Sequence, residues 1–125
     1  MARILIVDDD PDVTEATKIF LEQANHTVEC AYNRQEGMQA LHRFKPDLLI
    51  LDVMMEQPDD GMAMAQELRR DGFKKPILMF TSISKVTGMV YGRDEDVVPV
   101  DSFMEKPVEP HVLVEEVNRL LSVQV

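Results

Sequence analysis

Short apolar runs alternate along the chain with stretches in which apolar residues recur at helical spacing. RILIV (3–7), TVECA (27–31), DLLIL (47–51), PILMF (76–80) and DSFME (101–105) have the length and branching of strands. After the first strand, Asp10 is placed to cap a helix whose first turn accepts Pro11, with Val13, Ala16, Phe20 and Ala24 as its inward stripe. Asn33 and Glu36 form a capping-box pattern, followed by Met38, Leu41 and Phe44 and a stop at Pro46. Asp60 and Gly61 open a third helix with Met64, Ala65 and Leu68 inward, and a last helix from about Pro110 buries Leu113, Val117, Leu120 and Leu121.

Strands alternating with helices imply a parallel sheet with right-handed crossovers and helices on both faces, an α/β fold. A strand as apolar as ILIV suits the centre of such a sheet, covered on both sides. The segment after PILMF breaks the rhythm. Only SKVTGMVY (84–91) looks helical there, and its glycine and β-branched residues weaken it, so a short, irregular fourth helix and a mobile acidic loop around Asp94, Glu95 and Asp96 are predicted.

At 125 residues the chain has room for one domain with a real core, and no repeat or low-complexity tract divides it. Its 13 Lys and Arg against 23 Asp and Glu give a formal net charge of −10, which repels a phosphate backbone and argues against direct nucleic-acid binding. The single cysteine, Cys30, permits no intrachain disulfide and is expected to be packed in its strand; a reducing, cytoplasmic setting follows. No segment approaches the roughly twenty apolar residues of a membrane span. His26, His42 and His111 lack ligand spacing and are expected at the surface.

Candidate chemistry gathers where strands end, which in an open α/β sheet is where ligands bind. Asp8, Asp9, Asp52, Thr81 and Lys106 all fall at or just past predicted strand ends. If the first and third strands are neighbours, about 5 Å apart, their carboxylates repel by roughly 3 kcal/mol per pair at an effective dielectric near 20. Oxygen-only ligands in a tight group suit Mg²⁺, which compensates that repulsion. A calcium loop starting at Asp8 is excluded because Val13 stands where it needs Gly and Ile19 where it needs Glu.

In order and spacing, ILIVDDD, PDLLILDVMM, ILMFTS and SFMEKP resemble the receiver domain of two-component response regulators over essentially the whole chain. The resemblance implies the flavodoxin-like, doubly wound five-stranded parallel sheet in the order 2-1-3-4-5, an order the family supplies and periodicity does not. It implies Asp52 as phosphoacceptor; Asp9, Asp8, Asp52 and the backbone carbonyl of Met54 around Mg²⁺; and Lys106 on the phosphoryl oxygens. Thr81 and the backbone of Ser82 would contact the phosphoryl group, and Thr81 with Phe103 would form the conformational switch. The partners implied are a histidine kinase and either a histidine phosphotransfer protein or a downstream target protein. Residues 1–125 then read as a single receiver domain without an output domain.

The chain also departs from the family pattern. Glu56 stands where a proline is usual, and EQPDDG reaches Gly61 one residue late, which puts added acids at the rim of the site. Met54 and Ile83, each two residues past a site residue, are apolar and cannot orient an attacking water, so a long-lived phosphoryl group is expected. Two other readings compete: a degenerate receiver serving only as a binding module, and a small Mg²⁺-dependent phosphatase of the haloacid-dehalogenase type. The latter also begins with a strand and an Asp pair, but needs a longer chain and a hydroxyl residue where Asp12 stands.

Overall fold

The computed structural model describes residues 2–52, 60–81, 100–105 and 108–122, with the side chains of Asp60 and Thr81 left aside. Five strands, β1 (Arg3–Val7), β2 (Thr27–Ala31), β3 (Leu48–Asp52), β4 (Ile77–Thr81) and β5 (Ser102–Glu105), form one parallel sheet in the order β2-β1-β3-β4-β5. Helices α1 (Pro11–Gln23), α2 (Arg34–Phe44) and α3 (Asp60–Arg70), and a last helix at Pro110–Ser122, complete the described elements. This is the doubly wound, flavodoxin-like arrangement with helices on both faces. The irregular helix expected over 84–91 and the acidic loop lie outside the described residues.

Strand alternation divides the core in two. Leu5, Val7, Leu49, Leu51, Ile77 and Met79 face α2 and α3, meeting Ala40, Met64, Ala65 and Leu68. Ile4, Ile6, Leu48, Ile50, Leu78 and Phe80 face α1 and the last helix, meeting Leu21, Leu113, Val117 and Leu120. Every residue of β3 is buried, as two-sided coverage requires.

Two expectations about burial need correction. On α1 the buried positions are Thr14, Thr17 and Leu21, while Ala16 is exposed and Val13 and Phe20 only partly covered. The Thr14 hydroxyl donates to the Pro11 carbonyl at 3.0 Å, so its polarity is satisfied inside the helix and the residue can face the sheet. The apolar stripe instead lines a groove of about 420 Å³ between α1 and the last helix, floored by Phe80 and Leu113.

His26 is buried rather than at the surface. Its Nδ1 accepts from the Ala2 amide at 3.2 Å, which leaves the proton on Nε2, 3.1 Å from Asn118 Oδ1. It thereby joins the start of β1 to the last helix. His42 and His111 are exposed, and Cys30 is half-buried in β2 with burial raising its thiol pKa against the lowering influence of Lys18.

Strands three to five start one residue later than the apolar runs suggest. Asp47 and Asp101 act as brackets outside the sheet: Asp47 accepts from the Arg3 amide at 2.9 Å, and Asp101 from the Ile77 amide at 2.8 Å. The later start makes Asp52 and Thr81 the last residues of their strands. None of the described helices is long and apolar enough to cross a membrane.

Candidate functional site

β1 and β3 are hydrogen-bonded neighbours in a register that pairs Val7 with Leu51, so Asp8 and Asp52 follow side by side at the carboxyl edge of the sheet. Asp8 continues the ladder with its amide on the Ala31 carbonyl at 3.1 Å, and its Oδ1 accepts from the Asp10 amide at 3.0 Å. Asp10 in turn accepts from the Asp12 amide at 3.0 Å as the N-cap of α1. Asp10 thus does two things, one of which sequence reasoning missed: besides capping α1, it fixes the Asp8 carboxylate. The DDD run held the signal, because an Asx-type bond needs only a carboxylate two residues before an amide.

Asp8 and Asp52 are 1 % and 6 % exposed, whereas Asp9 is open to solvent. One carboxylate oxygen from each of the three lies within 4.8 Å of the others. At that separation each charged pair repels by roughly 3 kcal/mol at an effective dielectric near 20, so the arrangement favours a compensating cation. Magnesium suits it chemically. The donors are hard oxygens, and octahedral Mg²⁺ with bonds of about 2.1 Å spans oxygens up to about 4.2 Å apart, with water bridging longer gaps. The exposed Asp9 leaves a solvent route for the hydrated ion.

The sheet register also places the remaining candidates. Asp52 pairs with Phe80, so Thr81 stands one residue past Asp52 on the adjacent strand, and Thr81 pairs with Glu105. Phe103 pairs with Met79 on β5 and packs, partly buried, against the core on the α2 and α3 face. Lys106, Met54, Ser82, Glu56 and Ile83 lie outside the described residues.

Comparison with known proteins agrees with this geometry. The family model of the response regulator receiver domain matches residues 4–118. The chain belongs to that family. Among curated relatives, the DNA-binding dual master transcriptional regulator RpaA of Synechocystis is 33% identical over 123 residues, 97% of this chain and 49% of RpaA. Response regulator MprA of Mycobacterium ulcerans is 35% identical over 119 residues, 95% of this chain and 50% of MprA. The receiver chain therefore spans about half the length of these relatives.

Among solved structures, the response regulator TrrA of Thermotoga maritima, in complex with Mg²⁺-BeF, is 28% identical with a TM-score of 0.80, covering 96% of this chain and 99% of TrrA. A receiver domain protein from Clostridium thermocellum shares the fold, with a TM-score of 0.84 at 21% identity over 98% of this chain and 95% of its own. Family membership makes this chain a receiver domain of the response-regulator type.

Proposed function

We propose that Asp52 is the phosphoacceptor of a Mg²⁺-dependent receiver. The observation that carries this reading is the convergence of Asp8, Asp9 and Asp52 within 4.8 Å at the tips of two adjacent strands. Asp9 and Asp8 would hold the ion together with Asp52 and the backbone carbonyl of Met54, and the bound ion would supply positive charge that offsets the phosphoryl oxygens. An Asp52 carboxylate oxygen attacks the phosphorus of a phosphohistidine on a partner kinase. The O–P bond forms as the N–P bond breaks, and the departing imidazole takes up a proton.

Lys106 contributes a second positive charge to the phosphoryl group, with the Thr81 hydroxyl and Ser82 amide as donors. Thr81 moving toward the modified Asp52, with Phe103 turning inward, is the proposed switch. The signal leaves by docking to a downstream target or by relay to a histidine phosphotransfer protein. TrrA, solved with Mg²⁺-BeF, supports the assignment at the level of a relative.

Incubation with acetyl phosphate and Mg²⁺, read by intact mass, tests the proposal. One base- and hydroxylamine-labile phosphoryl group, lost in Asp52→Asn and on chelation of the metal, is expected. No adduct would leave only a binding module, and sustained phosphate release would indicate a phosphatase. The apolar Met54 and Ile83 predict slow loss of the group once formed.

A further inference from the structure

Two threonines of α1 are buried, Thr14 at 0% and Thr17 at 6% exposed, and their hydroxyls fare differently. The Thr14 hydroxyl donates to the Pro11 carbonyl within its own helix. Among the described residues nothing is hydrogen-bonded to the Thr17 hydroxyl. A hydroxyl taken out of water without a partner opposes folding, and native proteins keep few of them. Neither the packing of α1 nor phosphoryl transfer accounts for this one.

Thr17 does not sit in closed core. It lines the groove of about 420 Å³ between α1 and the last helix. Apart from Asp12, the other described residues around that groove are apolar: Val13, Ala16 and Phe20 from α1, with Phe80, Val108 and Leu113. Phe80 and Leu113 are 1% and 2% exposed, so packed side chains set its depth, while Ala16 is open to solvent. Among the described residues that line it, none is Asp8, Asp9 or Asp52. The groove therefore joins an apolar wall to one buried hydroxyl, away from the three carboxylates.

We propose that this groove is a binding site for a small, uncharged aromatic molecule with one hydroxyl, its ring against Val13, Phe20 and Val108 and its hydroxyl bonded to Thr17 Oγ1. The volume falls in the range of about 300–1,000 Å³ typical of small-molecule pockets, which combine apolar walls with a few polar groups that fix orientation. A threonine hydroxyl both donates and accepts, so it matches a ligand hydroxyl in either sense. Phe20 and Phe80 offer an aromatic ring the edge and face contacts it prefers. Asp12 on the lining and a formal charge of −10 on the chain disfavour a carboxylate ligand. A helix laid across the groove keeps its backbone groups bonded to one another and gives Thr17 no backbone partner. The inference stands whether or not Asp52 accepts phosphate.

Titration of the isotope-labelled chain with 2-naphthol, naphthalene and 2-naphthoate, followed by NMR, tests it. Shifts centred on Val13, Ala16, Thr17, Phe20 and Leu113 are expected with 2-naphthol, and weaker binding with 2-naphthoate. Thr17→Val, which keeps the shape and removes the hydroxyl, should weaken 2-naphthol about fivefold and leave naphthalene unchanged. The same variant should unfold at an unchanged or higher temperature, because it loses no hydrogen bond of the chain. Ala16→Trp should block the groove and abolish binding of both. Several results would overturn the proposal: shifts centred on Asp8, Asp9 and Asp52, equal weakening of 2-naphthol and naphthalene by Thr17→Val or none of either, a lower unfolding temperature of that variant, unchanged affinity in Ala16→Trp, or self-association of the chain through this groove.

Discussion

Gly37 shows how closely the site depends on packing one layer below it. A Cβ built there would lie 2.9 and 3.0 Å from the two γ-methyls of Val7 and 3.1 Å from the Met64 terminal methyl. Val7 directly precedes Asp8, is fully buried and is β-branched, so its methyls have little freedom to retreat. Gly37→Ala gains up to about 1 kcal/mol of helix propensity and meets about 1–3 kcal/mol of overpacking. Net destabilisation, measured by urea unfolding, is expected, and adding Val7→Ala should recover part of it in a double-mutant cycle. Glu116 gives a second prediction at this scale. Hydrogen bonding from Arg119, with help from Ser102 and against partial burial, lowers its carboxyl from 4.5 to about 2. A carboxyl lowered by folding adds stability that is fully present above about pH 4.5 and lost as the pH falls toward 2. Arg119→Ala should return the Glu116 titration, followed by NMR, toward 4.5 and flatten the acid dependence of stability in that window.

At the scale of elements, Arg69 and Asp101 clamp the lower edge of the sheet. Arg69 donates to the carbonyls of Phe73 and Lys75 at 2.7 and 2.9 Å and to Asp101 Oδ2 at 2.8 Å, and its guanidinium lies 5.8 Å from the Phe73 ring centre. Asp101 Oδ2 also accepts from the Ile77 amide, so one carboxylate ties α3, β4 and the entry to β5. Asp101→Ala leaves these donors without that partner, and a loss of about 1–3 kcal/mol is expected, with faster hydrogen exchange at the Ile77 amide as the local readout. The same residues show what the sequence could tell. The apolar runs revealed each of the described strands, the central β1 and β3 most clearly because two-sided burial demands them, but not the one-residue offsets set by Asp47 and Asp101, whose hydrogen bonds reach across the chain. The α3 face was legible because Met64, Ala65 and Leu68, apolar residues at helical spacing, are buried, while the other apolar residues Met62 and Ala63 are only partly covered. The α1 face was not, since Thr14, whose hydroxyl is satisfied by a local bond, and Thr17 are buried there and carry no apolar signal. His26 was missed for a related reason: its partners, Ala2 and Asn118, are remote in sequence.

Across the whole molecule, the site opposes the fold that creates it. The chain carries −10 overall, and the sheet holds three carboxylates within 4.8 Å, two of them almost wholly buried. That proximity was readable from DDD and LLILD only once the strand order made β1 and β3 neighbours, and the order came from the family pattern; periodicity alone leaves it open. Without a cation, each charged pair opposes folding by up to roughly 3 kcal/mol, less where solvent at Asp9 screens it. The metal-free chain should therefore be stabilised by Asp52→Asn, which removes two of the three repulsions while keeping the side chain's shape. Mg²⁺ at ten times its dissociation constant should raise the stability of the original chain by about 1.4 kcal/mol, visible as a higher midpoint of thermal unfolding. The increment should shrink or vanish in Asp52→Asn and Asp9→Asn. Equal stabilisation of all three proteins by Mg²⁺, or an Asp52→Asn variant less stable than the original in chelator, would show that the three carboxylates are compensated by something other than a bound cation.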